Sequence, residues 1–284
     1  MFKDSSKIGD EQVYLTDYHV HCDYSIDAVG TIDEYCRAAL KKGLVEICFT
    51  THYDGNPKSE GDAGVIRVKG KDLPATPKNL EPYVNDVLSA HDKYYPQGLS
   101  VKLGLEFGWF PGAGRVAEVL RSQFGFDYML CGIHELDNLC FCCSHCYEKC
   151  FGRYSMEEAV TKYRELIVEA AGCDAIDTIA HLDYIRKYGL EYYGPRIDDL
   201  LLEECEKSVF ASLLASDTKL EINTSAMRRG FKDYFPRLPL LNAAKRAGVD
   251  IRYLGSDAHE PEHVGFDFEV AAALIPLHVA GCEG

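Results

Sequence analysis

No stretch of this sequence stays apolar for the about 18 residues that a membrane-spanning helix needs, so no transmembrane helix is expected. Residues Met1 to Asp10 are polar and lack the apolar centre of a secretory leader, which points to the cytoplasm as the default location. Basic residues are scarce: 30 Lys and Arg stand against 45 Asp and Glu, a formal net charge of −15. That balance argues against broad binding to nucleic acid or to anionic membranes. It leaves room for a small anionic substrate, because bound cations and a few arginines can reverse the field inside a pocket. No linker divides the chain and no internal repeat is visible. One domain is therefore expected over residues 1–284, with its core at about residues 14–268.

Cysteine is plentiful, at twelve residues. Without a leader, reduced thiols are expected. Several, such as Cys48 and Cys131, sit singly in apolar runs, where cysteine acts as a small buried hydrophobe. The exception is Cys140-x-Cys142-Cys143-x-x-Cys146-x-x-x-Cys150. Plain thiols are the first reading there; a separate zinc knot and a redox role stay open.

Seven short runs rich in Val, Ile, Leu and Tyr read as strands: Tyr14–His19, Val45–Thr50, Val101–Glu106, Tyr128–Ile133, Ala175–Ala180, Leu220–Asn223 and Ile251–Ser256. Amphipathic segments fall between them. Thr31-x-x-Glu34 and Ser155-x-x-Glu158 have the capping-box pattern, and the helices they open should stop at Gly43 and Gly172. A third helix over Leu238 to Ala247 should stop at Gly248. Strand-then-helix alternation predicts an α/β fold with a parallel sheet. Seven repeats favour a TIM-like barrel over an open doubly wound sheet. Asp54 to Pro77, rich in Gly, Pro, Lys and Asp, reads as a long loop.

The informative residues stand where the predicted strands end. His19 and His21 have the i, i+2 spacing that puts two side chains on one face of an extended chain. Asp23 and Asp27 follow. His52, Glu106, His134 and His181 close the next four strands, and Asp257 and His259 repeat the i, i+2 spacing after the last. In parallel barrels that rim is where active sites are assembled. Imidazoles gathered with carboxylates suit zinc, iron or manganese, and a carboxylate can bridge two ions. His91, His145, His263 and His278 lie outside this pattern and read as structural or solvent-exposed.

These residues resemble the motifs of the PHP family, named for polymerase-associated domains and histidinol phosphatases. His19-x-His21-x-x-x-Ser25-x-Asp27-Ala28 is similar to its first motif, Thr51-His52 to its second, and Gly255-Ser256-Asp257-Ala258-His259 to its last; Glu106, His134 and His181 stand in the family's order. The resemblance implies a distorted (β/α)7 barrel with two or three divalent ions at the carboxyl ends of the strands. The ligands it implies are His19, His21, Asp27, His52, Glu106, His134, His181, Asp257 and His259, with Glu106 and Asp257 as bridges and Asp23 as a loop or supporting residue. The segments Ile179 to Tyr188 and Glu221 to Gly230 are similar to those of the family's histidinol phosphatases, with Arg186 and Arg228 as phosphate-binding groups. Arg229 could exchange roles with Arg228.

The reaction so implied is hydrolysis of a phosphate monoester by metal-activated water, with Asp257 or His259 supplying the leaving-group proton. L-Histidinol phosphate is the expected substrate, with Glu135 or Asp183 meeting its ammonium group; a nucleotide or sugar phosphate is the alternative. A metal-dependent amidohydrolase would begin with the same His-x-His, but would carry a lysine at a central strand end, where this sequence has Glu106. A non-catalytic metal-binding protein would bind ions and turn over no ester.

Overall fold

The structure, a computed structural model, describes residues 7–8, 11–12, 15–60 and 64–275. Seven parallel strands run in order round its main sheet: β1 (Thr16–Val20), β2 (Glu46–Phe49), β3 (Ser100–Gly108), β4 (Tyr128–Gly132), β5 (Thr178–Ile179), β6 (Lys219–Asn223) and β7 (Ile251–Gly255). Neighbours in the sheet are neighbours in sequence throughout. The order has no reversal, which an open doubly wound sheet would require. The ends come together just beyond the strands: the His21 N–H donates to the Ala258 carbonyl at 2.8 Å and the Asp257 N–H to the His19 carbonyl at 2.8 Å. The result is a nearly closed (β/α)7 barrel.

Helices α1 (Ile32–Lys41), α2 (Pro77–Tyr94), α3 (Gly114–Phe124), α4 (Met156–Ala171), α5 (Arg196–Glu204) and α6 (Leu238–Ala247) lie between the strands in sequence. Both expected capping boxes form, at Thr31 with Glu34 and at Ser155 with Glu158. Each satisfies N–H groups that the first helical turn leaves without partners. Gly248 ends α6 in the left-handed region, φ 87°, where a side chain would be strained. Inside the barrel, Cys48, Tyr128, Leu130 and Ala180 pack with Tyr18 and Tyr253, whose rings lie 4.7 Å apart. This plug fills the barrel below the strand ends.

Three segments differ from expectation. The supposed loop Asp54 to Pro77 contains an antiparallel hairpin, Val65–Val68 with Lys71–Pro74. Its turn places Lys69 and Gly70 at φ 52° and 75°, the positive dihedrals a tight hairpin needs; the alternation around buried Ile66 was hidden by the polar composition. The fifth strand is only two residues long. The cysteine segment folds as a small hairpin, Glu135–Leu136 with Leu139–Cys140, followed by the short helix Tyr147–Phe151. Within it Cys140 and Cys146 form a disulfide, a correction to the first reading of plain thiols. His91 is structural as expected, with Nδ1 2.9 Å from the Val101 carbonyl. Tyr14 and His278 lie outside the described residues.

Candidate metal centre

Strand ends bring the predicted donors into one cluster. The two-residue strand His52–Tyr53 pairs with β3 so that His52 stands beside Glu106. Glu106 is the hub. Its Oε2 lies 2.9 Å from His52 Nδ1 and 3.3 Å from Nε2 of both His19 and His21. Its Oε1 lies 3.0 Å from His181 Nε2 and 3.4 Å from His134 Nε2. Asp257 Oδ1 is 3.5 Å from His21 Nε2 and 3.4 Å from His259 Nδ1. Asp27 sits at the mouth, exposed, with Oδ2 3.3 Å from His259 Nε2. The backbone bends to aim two of these groups: Asp257 and His181 have φ of 51° and 28°, costly values for non-glycine residues that tend to gather at functional sites. Gly132 leaves room for the cluster, since a Cβ there would stand 2.5 Å from His134 Nε2 and 2.7 Å from Glu106 Oε1.

The donor chemistry fits divalent cations. Nε2 of His19 and His21, Nδ1 of His52 and Oε2 of Glu106 are buried and have no hydrogen-bond partner, although they point at one another. Buried polar atoms are seldom left so; cations bound among them would satisfy all four. Burial opposes charge on Glu106 and Asp257, yet the surrounding imidazoles hold both carboxyls well below the usual range, so both are ionised. Burial and the neighbouring His52 and His259 hold His21 neutral, the form that ligates. Four sets of donors each converge closely enough for one ion: His21, His52 and His259; His19, Glu106 and His181; His19, His21 and Asp257; and His52, Asp54 and His134.

Two supporting carboxylates escaped the sequence reading. Glu221, 1% exposed on β6, has both oxygens 3.1 Å from His19 Nδ1, and its Oε1 accepts from the His181 backbone N–H at 2.8 Å. Asp54 Oδ1 lies 2.9 Å from His134 Nδ1. A carboxylate behind an imidazole fixes its tautomer and raises its basicity toward a metal. The signals were present: a Glu inside an apolar strand needs a buried partner, and Asp54 stands at i+2 from His52. Replacing Glu221 by Gln keeps the shape and removes the charge. We expect kcat/KM to fall about 10–100-fold with a parallel loss of bound metal; unchanged values of both would reduce Glu221 to a packing role.

A cavity of about 650 Å³ opens over the cluster, with His52, Glu106, His134 and His181 at its base. Arg229 and Lys187 stand on its wall, and Glu135 also faces it. The other expected substrate contacts do not line it. Arg228 donates to the Asp257 carbonyl at 2.9 Å and lies over the Phe266 ring. Arg186 is buried among Asp183, Asp198 and Asp233. Asp183 lies beneath that arginine rather than in the cavity, and Asp23 lines a separate cavity of about 330 Å³. His145, read as solvent-exposed or structural, is exposed on the mouth of the main cavity.

Among the described residues no helix is long and apolar enough to cross a membrane. The PHP domain family matches residues 17–225. A Deinococcus radiodurans protein named "Probable histidinol-phosphatase" is 30% identical over 266 residues, covering 92% of each chain. Two solved structures share the fold. A candidate histidinol phosphatase from Listeria monocytogenes superposes with a TM-score of 0.75 at 16% identity, over 90% of this chain and 99% of its own. A Lactococcus lactis histidinol phosphate phosphatase, solved with zinc, L-histidinol and phosphate, gives 0.68 at 22% identity over 92% of each chain. With strand ends that gather imidazoles and carboxylates beneath one cavity, and with these relatives matched along almost its whole length, the chain belongs to the PHP family of phosphoesterases and is a phosphomonoester hydrolase related to the histidinol phosphatases.

Proposed function

We propose that this enzyme hydrolyses L-histidinol phosphate to L-histidinol and phosphate, and that residues 1–284 act as one domain in doing so, with the barrel core at about residues 14–268. The observation that carries the reading is the make-up of the cavity. Metal donors form its base, a guanidinium and an ammonium, Arg229 and Lys187, stand on its wall, and the Glu135 carboxylate lies opposite in charge within the same space. A small substrate with a phosphate at one end and an ammonium at the other matches that polarity.

His19, His21, Asp27, His52, Glu106, His134, His181, Asp257 and His259 would hold two or three divalent ions, of which zinc fits the imidazole-rich donor set. When bound, such ions supply positive charge for the phosphoryl oxygens and lower the pKa of water. Arg229 pairs with the phosphoryl group, because a guanidinium presents parallel N–H donors that match two of its oxygens. The Glu135 side chain, oriented by Asn56 at 2.7 Å and by Ser59, receives the ammonium. His259 lies beside the ionised Asp257 and Asp27 carboxylates. Where His259 is left off the ions at the rim, it or the neighbouring Asp257 supplies the proton to the departing alkoxide.

The decisive experiment measures phosphate release by metal-reconstituted protein from L-histidinol phosphate beside nucleotides, sugar phosphates and an oligonucleotide 5′-phosphate. The expected result is a clear preference for histidinol phosphate. Turnover of another ester with histidinol phosphate ignored would keep the phosphatase and overturn the substrate.

A further inference from the structure

The cysteine segment has no part in the centre described above, yet it forms one side of the same cavity mouth. Cys140, Cys142, Cys143 and Cys146 all line that mouth. Apolar anchors hold the segment in place: Phe141 and Cys150 are fully buried, and the Tyr147 ring stacks on Tyr188 with centroids 4.6 Å apart. The turn is closed by the Cys146 and Tyr147 N–H groups, both donating to the Cys143 carbonyl at 3.2 Å. The four sulfurs are thereby gathered around one turn.

Three of them stand close enough together to share an ion, and the fourth lies beside two of these. Sγ atoms of Cys140, Cys143 and Cys146 lie within 4.8 Å of one another. Cys142 Sγ is 3.6 Å from that of Cys140 and 3.9 Å from that of Cys143. In a tetrahedron with zinc–sulfur bonds of about 2.3 Å, the sulfurs stand about 3.8 Å apart. A tetrathiolate site around a divalent ion carries two net negative charges, and cations are at hand. Lys187 Nζ donates to the Cys142 carbonyl at 2.6 Å, and His145 and Lys149 lie on the same mouth. The Cys140–Cys146 disulfide is the oxidised, metal-free state of the same sulfurs.

We propose that, in the reduced chain, Cys140, Cys142, Cys143 and Cys146 bind one thiophilic divalent cation of the zinc class. This is a structural site in the cavity wall, separate from the imidazole–carboxylate centre. Binding converts four thiols to four thiolates and releases four protons. Opening the disulfide to two thiols takes two electrons and two protons; in the test below a phosphine supplies the electrons and water the protons, giving phosphine oxide. Thiolates select zinc over harder ions, and the ion cross-links residues 140–146 at four points where the disulfide does so at two. The wall of the mouth is then fixed in shape.

The test uses the full-length protein, stripped of metal, reduced with a phosphine and titrated with cobalt(II). The expected result is an intense near-ultraviolet sulfur-to-cobalt charge-transfer band that saturates at one ion per chain. Imidazole and carboxylate ligands give no such band, so the other centre does not interfere. The band should fall to about half or less in a Cys142→Ser, Cys143→Ser double variant whose circular dichroism matches the parent. Its absence from the reduced parent, or its persistence undiminished in the double variant, would overturn the proposal. Should the variant fail to fold, alkylation of the reduced parent decides: zinc should protect four cysteines that a chelator exposes, and equal labelling with and without zinc would refute the site.

Discussion

Replacing Glu106 by Gln should remove most bound metal and lower kcat/KM by at least about 10²–10³-fold, the loss typical of deleting one donor that stabilises transition-state charge. One carboxylate stands within 3.4 Å of five imidazole nitrogens, on His19, His21, His52, His134 and His181. Gln has nearly the same shape, so packing against the buried rim is kept. What changes is charge and hydrogen bonding. The amide presents an NH2 group to nitrogens that need a cation or a lone pair opposite them, and it cannot bridge two ions as a carboxylate does. The carboxylate also sets the protonation of its neighbours. His52, despite burial that pulls it down, is raised to about 9 by Glu106 and then Asp27. Metal content by mass spectrometry, steady-state kinetics and circular dichroism on one preparation separate the possibilities. Full metal content with kcat/KM within tenfold of the parent would take Glu106 out of the centre.

How much of this was legible in the sequence depends on whether a residue's partner is local. His19 with His21, and Asp257 with His259, show themselves by i, i+2 spacing in an extended chain. Glu106, His134 and His181 show themselves because each follows a short apolar run. The helix limits at Thr31 and Ser155 are visible because a capping box closes on itself within four residues. Glu221 was not visible as a site residue, because its partner His19 is 202 positions away and only barrel closure brings β6 to β1. The hairpin at Val65–Val68 was hidden by a turn of Lys69-Gly70, whose composition reads as loop. The cysteine pairing was hidden for a different reason: five cysteines between residues 140 and 150 allow many pairings, and spacing alone does not choose among them.

Arg186 and Arg229 show the same limit, and they lead to opposite expectations. Both follow strand ends in segments similar to those of the family's histidinol phosphatases, where the sequence reading puts Arg186 and Arg228 forward, with Arg229 able to exchange roles with Arg228. In the fold, Arg186 is 5% exposed, and its guanidinium donates to both oxygens of Asp198, at 3.0 and 3.2 Å, and to Asp233 at 3.4 Å. It also lies over the Phe231 ring and 3.7 Å from the buried Asp183. Arg186→Ala leaves three carboxylates without their shared cation, a loss of about 3–5 kcal/mol of stability. Burial already pushes the Asp183 carboxyl up to about 7, with Arg186 pulling the other way. Without the arginine that pKa rises further, and the folded state holds a proton the unfolded state releases. The deficit is therefore smaller below about pH 7, where the parent's Asp183 is protonated too, and grows above it. Urea melts at about pH 6 and about pH 8.5 measure the difference; an equal deficit at both would remove Asp183 from the explanation. Arg229→Ala should do the reverse. Its side chain stands exposed on the cavity wall, so stability should change by no more than about 0.5 kcal/mol. Loss of its charged hydrogen bonds to phosphate, worth about 1.5–3 kcal/mol, should lower kcat/KM about 10–100-fold. A stable Arg186→Ala with raised KM, beside an Arg229→Ala that works normally, would return the phosphate contact to Arg186 and require the cavity wall to rearrange when substrate binds.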